Sequence, residues 1–276
     1  MAAMSPTISE HLTTAGFKGR YSITGVGWGG QTPMASVGVL RFDGQGRVSG
    51  REIMNVPGPG FERRSLSSLS WNGAYEVDPD GSGYGSTELA ASLPDGSTRK
   101  VRTTLLITRA SMMGGEVIVQ EASLMQHDPE PASGSLVMYS VFRQPDEGSF
   151  SLSSFRGIYA GPGLGRGNQL PAAAIGIGAV NFNGAGRFTG VDVQNLPADS
   201  FAHRRIATFD TPEAHYTVDE DGLGMILAPN GQAHLVVTRS EPNDGVRLCL
   251  EYFFVTNELH PLTGNLVTTF VTRRMR

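Results

Sequence analysis

Two glutamates occupy matching places in strongly apolar company. Glu121 follows Val117-Ile118-Val119-Gln120, and Glu251 follows Leu248-Cys249-Leu250. A carboxyl inside an apolar cavity has a raised pKa and works as a general acid or base. The alternative is an ion pair with a basic residue on the preceding strand, Arg109 or Arg239. Residue alternation does not decide which face Glu121 takes, because both faces of its segment are mixed. His203, His215 and Tyr216 form a second candidate group, and Tyr75 with Glu76 and Trp71 a third. Polar tips in an apolar pocket suit recognition of, or proton transfer on, a hydrophobic molecule. Arg64 and Arg204 follow matching Asn-x-Pro stretches and read either as structural ion-pair partners or as a repeated anion clamp. Trp28 sits in a glycine-rich stretch where it would cover a bound molecule.

Other chemistries lack their context. Gly25-x-Gly27-x-x-Gly30 spells a dinucleotide fingerprint, but a strand pattern follows it where the fingerprint needs a helix. This stretch and Gly161-Pro162-Gly163-Leu164-Gly165 are expected to be loops at a barrel mouth. Asp78-Pro79-Asp80-Gly81 and Asp219-Glu220-Asp221-Gly222 begin like calcium loops without the closing bidentate carboxylate, so they read as turns. The 6 histidines have no metal-ligand spacing, so no metal is expected. Gly-x-Ser-x-Gly is absent. No cofactor motif stands in the chain.

Composition narrows the classes further. A net charge of −4 offers no broad basic field for nucleic acid or anionic lipid. The single cysteine, Cys249, excludes an internal disulfide and suits a reducing, cytoplasmic setting. It reads as a buried small hydrophobe. No stretch approaches the roughly 18 apolar residues of a membrane span, and the first residues do not form a signal peptide. The 36 glycines carry no collagen period and belong in tight turns between short strands.

The elements that must position these residues are strands. From Phe17 onward the apolar period is two, with turn signals between runs and no helical pattern of about 10–12 residues. The plan is also written twice. Phe17-Lys18-Gly19-Arg20-Tyr21 returns as Phe155-Arg156-Gly157-Ile158-Tyr159, and Asp43-Gly44-Gln45-Gly46-Arg47 as Asn183-Gly184-Ala185-Gly186-Arg187. Asn55-Val56-Pro57 returns as Asn195-Leu196-Pro197, Tyr75 as Tyr216, Thr108-Arg109 as Thr238-Arg239 and Arg143 as Arg273. A shared order of motifs with slow drift marks an internal duplication. About eight strands per half, closed on themselves, leave no sheet edge and enclose a small interior. The expected fold is all-β: two tandem antiparallel up-and-down β-barrels. They span residues 17–144 and 155–276, with an N-terminal arm at 1–16 and a linker at 145–154.

Gly19-Arg20-Tyr21 and Gly157-Ile158-Tyr159 hold the place of the lipocalin opening motif, with Tyr for its Trp. Arg143 and Arg273 end the last strands, where a closing basic residue packs across that ring. Each half thereby resembles the lipocalin-like (calycin) or allene oxide cyclase-like barrels. The resemblance implies a ligand cavity, and family members include cyclases and isomerases as well as carriers. The expected function is a cofactor-independent isomerase, cyclase or lyase acting on a small hydrophobic or aromatic molecule. A non-catalytic carrier and a structural module with filled barrels stay open. Apolar residues on both faces of Val137–Phe142 and Val267–Thr272 are expected to pack the barrels together, and an equivalent surface suits a homodimer.

Overall fold

Turn chemistry divides the chain into strands. Asp43 Oδ1 accepts from the backbone N–H groups of Gln45 (2.7 Å) and Arg47 (2.9 Å), and Gly44 and Gly46 take positive φ. Asn183 repeats the arrangement with Ala185 (2.8 Å) and Arg187 (3.1 Å), again between positive-φ glycines. The aspartate or asparagine closes the turn and glycine adopts the left-handed conformation at little cost.

The structure, a computed structural model, describes residues 12–29, 33–57, 64–93, 96–166, 173–198, 203–228, 231–243, 245–260 and 264–275. The N-terminal arm up to residue 11, together with Gly30, Phe61 and Phe201, lies outside them, as do the side chains of 264–271. A first closed barrel contains β1 (Lys18–Trp28), β2 (Met34–Asp43), β3 (Arg47–Pro57), β4 (Arg64–Val77), β5 (Tyr84–Ser92), β6 (Thr98–Met113), β7 (Glu116–Gln126) and β8 (Leu136–Arg143). A second contains β9 (Arg156–Arg166), β10 (Ala173–Asn183), β11 (Arg187–Pro197), β12 (Arg204–Val218), β13 (Leu223–Ala228), β14 (Gly231–Asn243), β15 (Val246–His260) and β16 (Gly264–Arg274). Both are antiparallel, with neighbours in chain order and the last strand closing on the first. No helix among the described residues is long and apolar enough to cross a membrane.

One end of each barrel is plugged by the opening motif. Phe17 stacks on Phe42 (centroids 4.1 Å apart) and meets Tyr21 and Tyr75 edge-on. Tyr21 donates to the Val119 carbonyl at 2.9 Å, and Tyr159 to the Cys249 carbonyl at 2.8 Å. In the first barrel Arg143 stands directly opposite Tyr21 on the ladder. The residue opposite Tyr159 is Arg274, not the expected Arg273. The last strand has slipped by one residue relative to the first copy, and slipping by one exchanges the faces of a strand.

The glycine-rich stretches differ from expectation. Gly25 and Gly27 lie within β1, and Gly161, Gly163 and Gly165 within β9. Glycine stands at position 25 because the barrel interior is already occupied there. A Cβ on Gly25 would come within 2.8 Å of the Tyr139 ring, closer than packed atoms approach.

The barrels join along the outer faces of β1, β2 and β3, with a smaller contact between β8, the strand of Val137–Phe142, and β14. Val137 and Val141 themselves point into the first barrel, and the side chains of residues 267–271 lie outside the described ones. Ala35, Val37 and Val39 pack on Leu223, Val236, Phe253 and Val255. Asn55 Nδ2 donates to the Thr256 carbonyl at 2.5 Å and Gln144 Nε2 to the Val237 carbonyl at 3.2 Å. Arg20 Nη1 reaches Asp221 at 2.9 Å, and Arg51 pairs with Asp219. The apolar area supplies most of the adhesion, and the polar pairs fix the register.

Candidate functional site

The first barrel keeps charged and polar side chains on its inner wall. Along β3, Val48, Gly50, Glu52, Met54 and Val56 alternate inward, and Glu52 is 2% exposed. Trp71, from β4, donates its indole N–H to Glu52 Oε2 at 2.8 Å. Ser36 from β2 and Tyr139 from β8 border the same carboxyl, at the places flanking Gly25 in the ladder. From β6, Arg99 lies over the Trp71 ring with its guanidinium carbon 5.8 Å from the centroid. Its Nη1 is 3.3 Å from Glu130 Oε1 and donates to Met54 Sδ at 3.3 Å. Gln126, Thr103 and Thr87 share one inward row, the two threonine hydroxyls 2.8 Å apart.

This cluster is incompletely satisfied. Ser36 Oγ, Glu52 Oε1, Arg99 Nε, Arg99 Nη2 and Gln126 Oε1 are buried without a hydrogen-bond partner. Buried polar atoms are nearly always paired, and an orphan costs about 1–3 kcal/mol. The second barrel also leaves Asp192 Oδ1, Tyr252 Oη and Thr256 Oγ1 unpartnered, so the first holds the larger of two such groups among the described residues. Burial raises the Glu52 pKa above its ordinary value, opposed by Ser36, Arg99, Trp71 and Tyr139. Burial likewise pushes the Tyr139 phenol well up, with the neighbouring Glu52 adding to it. A carboxyl held toward its protonated form can both donate and later take back a proton.

The second barrel carries far less at the same ladder positions. Glu52 stands opposite Gly38 and Leu69; Asp192 stands opposite Gly178 and Phe209. Ser36 corresponds to Gly176, Trp71 to Thr211, Tyr139 to Phe270, Thr87 to Ile226 and Thr103 to Ala233. The carboxylate persists, and the place of Gln126 is held by another buried polar residue, Thr256. Burial raises the Asp192 pKa, while Gln194 hydrogen-bonds it. The core of this barrel joins Phe155, Tyr159, Phe182, Tyr216 and Tyr252, linked by ring contacts, to aliphatic residues such as Ile226, Leu235 and Val237.

Of the residues singled out from sequence, Trp71 falls in the cluster. Glu121 and Glu251 do not; both face outward, at the seam between barrels. Glu121 pairs with Arg109 at 2.8 Å, and Glu251 accepts from Arg273 Nε at 2.7 Å and Thr238 Oγ1 at 3.0 Å. Arg239 lies between the two carboxylates, 3.7 Å from Glu121 and 3.8 Å from Glu251. A bulge at Thr108 and its twin at Thr238 set these arginines, as bulges re-aim side chains. The ion-pair alternative therefore describes both glutamates.

Tyr75 and Tyr216 fasten the plugs. Tyr75 donates to the Phe17 carbonyl at 2.6 Å and accepts from Gly44 N–H at 2.8 Å; Tyr216 donates to the Leu152 carbonyl at 2.8 Å. His203, His215 and Tyr216 do not cluster. His215 is exposed while its neighbour Tyr216 is buried on the opposite face, and His203 precedes the far end of β12, about 40 Å away at strand rise. Arg64 Nε and Nη2 grip the Asn55 side chain and carbonyl, both at 2.7 Å, with Nη2 also 2.7 Å from the Pro33 carbonyl. Arg204 repeats the grip on Asn195 at 2.8 and 2.9 Å. The arginines clip the Asn-x-Pro segment from outside the barrel. Trp28 ends β1 half-exposed, opposite Leu136.

Glu52, Ser36, Arg99, Gln126 and Tyr139 were missed, although a signal existed. Glu52 is the one charge on an inward alternation from Val48 to Val56, and Arg99 continues the inward alternation Val101, Thr103, Leu105, Ile107.

No family model matches this sequence, and a search of curated proteins finds no match. Among solved structures, the chain is similar to a protein of unknown function from the DUF3598 family of Nostoc punctiforme PCC 73102. The identity is 9%, the TM-score 0.32, and the match covers 99% of this chain and 100% of that one.

Proposed function

We propose that the first barrel is a cofactor-independent acid–base enzyme of the isomerase, cyclase or lyase kind. Its substrate is a small hydrophobic or aromatic molecule held beside Trp71. The reading rests on one observation: a fully buried carboxyl, Glu52, held by Trp71 through Oε2 and left with Oε1 unpartnered on the inner wall. Oε1 is then the atom that passes the proton. Trp71 and the apolar wall hold the substrate in one reactive conformer, which supplies proximity and orientation, while Ser36 and Tyr139 offer hydroxyls next to the developing charge. In this reading the barrel is of lipocalin-like or allene oxide cyclase-like descent. The protein works in the cytoplasm, in keeping with its lone buried thiol, Cys249. A homodimer would cover the exposed Leu164, Ile175, Ile177 and Ile206 on the outer face of the second barrel.

The test is turnover. Candidate polyketide, terpenoid and phenylpropanoid molecules are incubated with the protein in D2O, and products are followed by mass spectrometry for isomerisation or deuterium uptake. Conversion of at least one compound, reduced about 10²-fold or more in Glu52→Gln, supports the proposal. Stoichiometric binding without conversion by the wild-type protein replaces it with a carrier.

A further inference from the structure

The unpartnered atoms have a pattern that specifies more than a small hydrophobic molecule. Arg99 uses Nη1 for Glu130 and Met54, leaving Nε and Nη2 without partners. Those two nitrogens lie on one edge of the guanidinium plane, and their N–H bonds run parallel. That edge is the fork that takes both oxygens of a carboxylate. The side chain is 10% exposed, so water does not freely fill the fork. Across the interior, Glu52 Oε1, Ser36 Oγ and Gln126 Oε1 offer acceptors or a hydroxyl donor.

Geometry selects the ligand further. Arg99 is already ion-paired with Glu130, and burial disfavours the charged form of the Glu52 carboxyl. A carboxylate places one oxygen on each of the two parallel N–H bonds that Arg99 leaves open. The Arg99 guanidinium also lies over one face of the Trp71 ring.

We propose that the ligand of the first barrel is a monocarboxylic acid with an apolar or aromatic body, its carboxylate seated on the Nε/Nη2 edge of Arg99. This deepens the enzyme reading above and rests on its placement of the site. The body lies along Trp71, and a hydroxyl or carbonyl on it meets Ser36, Gln126 or the Glu52 proton. Glu52 then acts on a carbon or oxygen a few bonds from the anchored carboxylate.

With Trp28→Phe, Trp71 is the remaining tryptophan of the two in the chain, and its fluorescence reports occupancy. The probes are benzoate, trans-cinnamate and 4-phenylbutyrate, each against its neutral amide. At least one acid is expected to quench Trp71 with a Kd about tenfold or more below its amide, as expected for a bidentate charge-assisted pair. Arg99→Lys keeps the charge but lacks the fork, and is expected to erase that preference while leaving amide binding within about threefold. Should Arg99→Lys fail to fold, Arg99→Gln with Glu130→Gln removes both charges together and carries the same expectation. Equal affinities for acid and amide, or a preference that survives at Arg99→Lys, overturn the carboxylate assignment alone. If no acid and no amide perturbs Trp71, the site itself is wrong and both proposals fall.

Discussion

The two barrels share topology, turns, plugs and bulges, yet their interiors diverge at one level. In the first, the row Val141–Ile23–Gly38–Glu52–Leu69 and its neighbours bring Glu52, Ser36, Tyr139, Trp71 and Arg99 together. In the second, matching positions hold Asp192, Gly176, Phe270 and Thr211. The two copies agree in strands, turns and plugs and differ in the buried polar cluster. Tyr75 and Tyr216, Arg64 and Arg204, and Glu121 and Glu251 are repeated because both barrels need plugs, clips and a bonded seam. The repeated plugs, clips and seam pairs hold the scaffold, while Trp71, Ser36 and Tyr139, which the second copy lacks, surround a carboxyl that both copies keep.

The sharpest break of this symmetry is Trp71→Ala, which empties a packed position and strips Glu52 of its donor. It should cost about 3–5 kcal/mol in chemical denaturation, whereas Thr211→Ala at the matching place should cost under about 1 kcal/mol. Equal costs would contradict the difference in packing.

The paired clips give a smaller contrast. Arg64 is buried and bonded to Asn55 and Pro33; Arg204 is exposed. Arg64→Ala should destabilise by about 2–3 kcal/mol, the cost of leaving buried acceptors unmade. Arg204→Ala should cost about 1 kcal/mol or less. Burial lowers the Arg64 pKa to about 9, so the guanidinium stays charged at neutral pH.

The carboxyls differ in their response to pH. The folded Glu52 pKa lies above its ordinary value of 4.5, so between the two values the native state holds a proton that the unfolded chain has lost. Stability therefore falls as pH rises through that window and levels off above the folded value. Glu52→Gln should flatten this slope and raise stability at the alkaline end, read as the melting temperature from about pH 4 to 8. Asp192→Asn should act in the same direction but more weakly, because Asp192 is only partly buried. The smallest effect expected is at the seam. Arg239→Ala should cost about 0.5–1 kcal/mol, since Arg239 is half-exposed and Arg273 and Thr238 still hold Glu251.

The fold was legible because its signals are local. Asp43-Gly44 and Asn183-Gly184 mark turns by their own chemistry, and a period of two needs no partner strand to be seen. The repeat aligned the halves; the last strand misled, where a one-residue slip makes Arg274 the match of Arg143, and so did the glycine-rich stretches, which run within strands and not as loops. The site was less legible because facing depends on register. Glu121 has the apolar neighbours of a cavity residue, but the bulge at Thr108 aims Arg109 at it on the outer face. Trp71 was found from its type. Glu52, Ser36 and Arg99 come from three segments and gather only when β2, β3 and β6 curl into one barrel, information no short window holds.

The claim that the first barrel is the working one is tested most directly by titration calorimetry. 4-Phenylbutyrate would be titrated into the wild-type protein, Glu52→Gln, Arg99→Lys and Asp192→Asn. Binding weakened about tenfold or more by Arg99→Lys, altered by Glu52→Gln and unchanged by Asp192→Asn is the predicted result. Binding that is lost with Asp192→Asn and indifferent to Arg99 and Glu52 would contradict it and move the site to the second barrel.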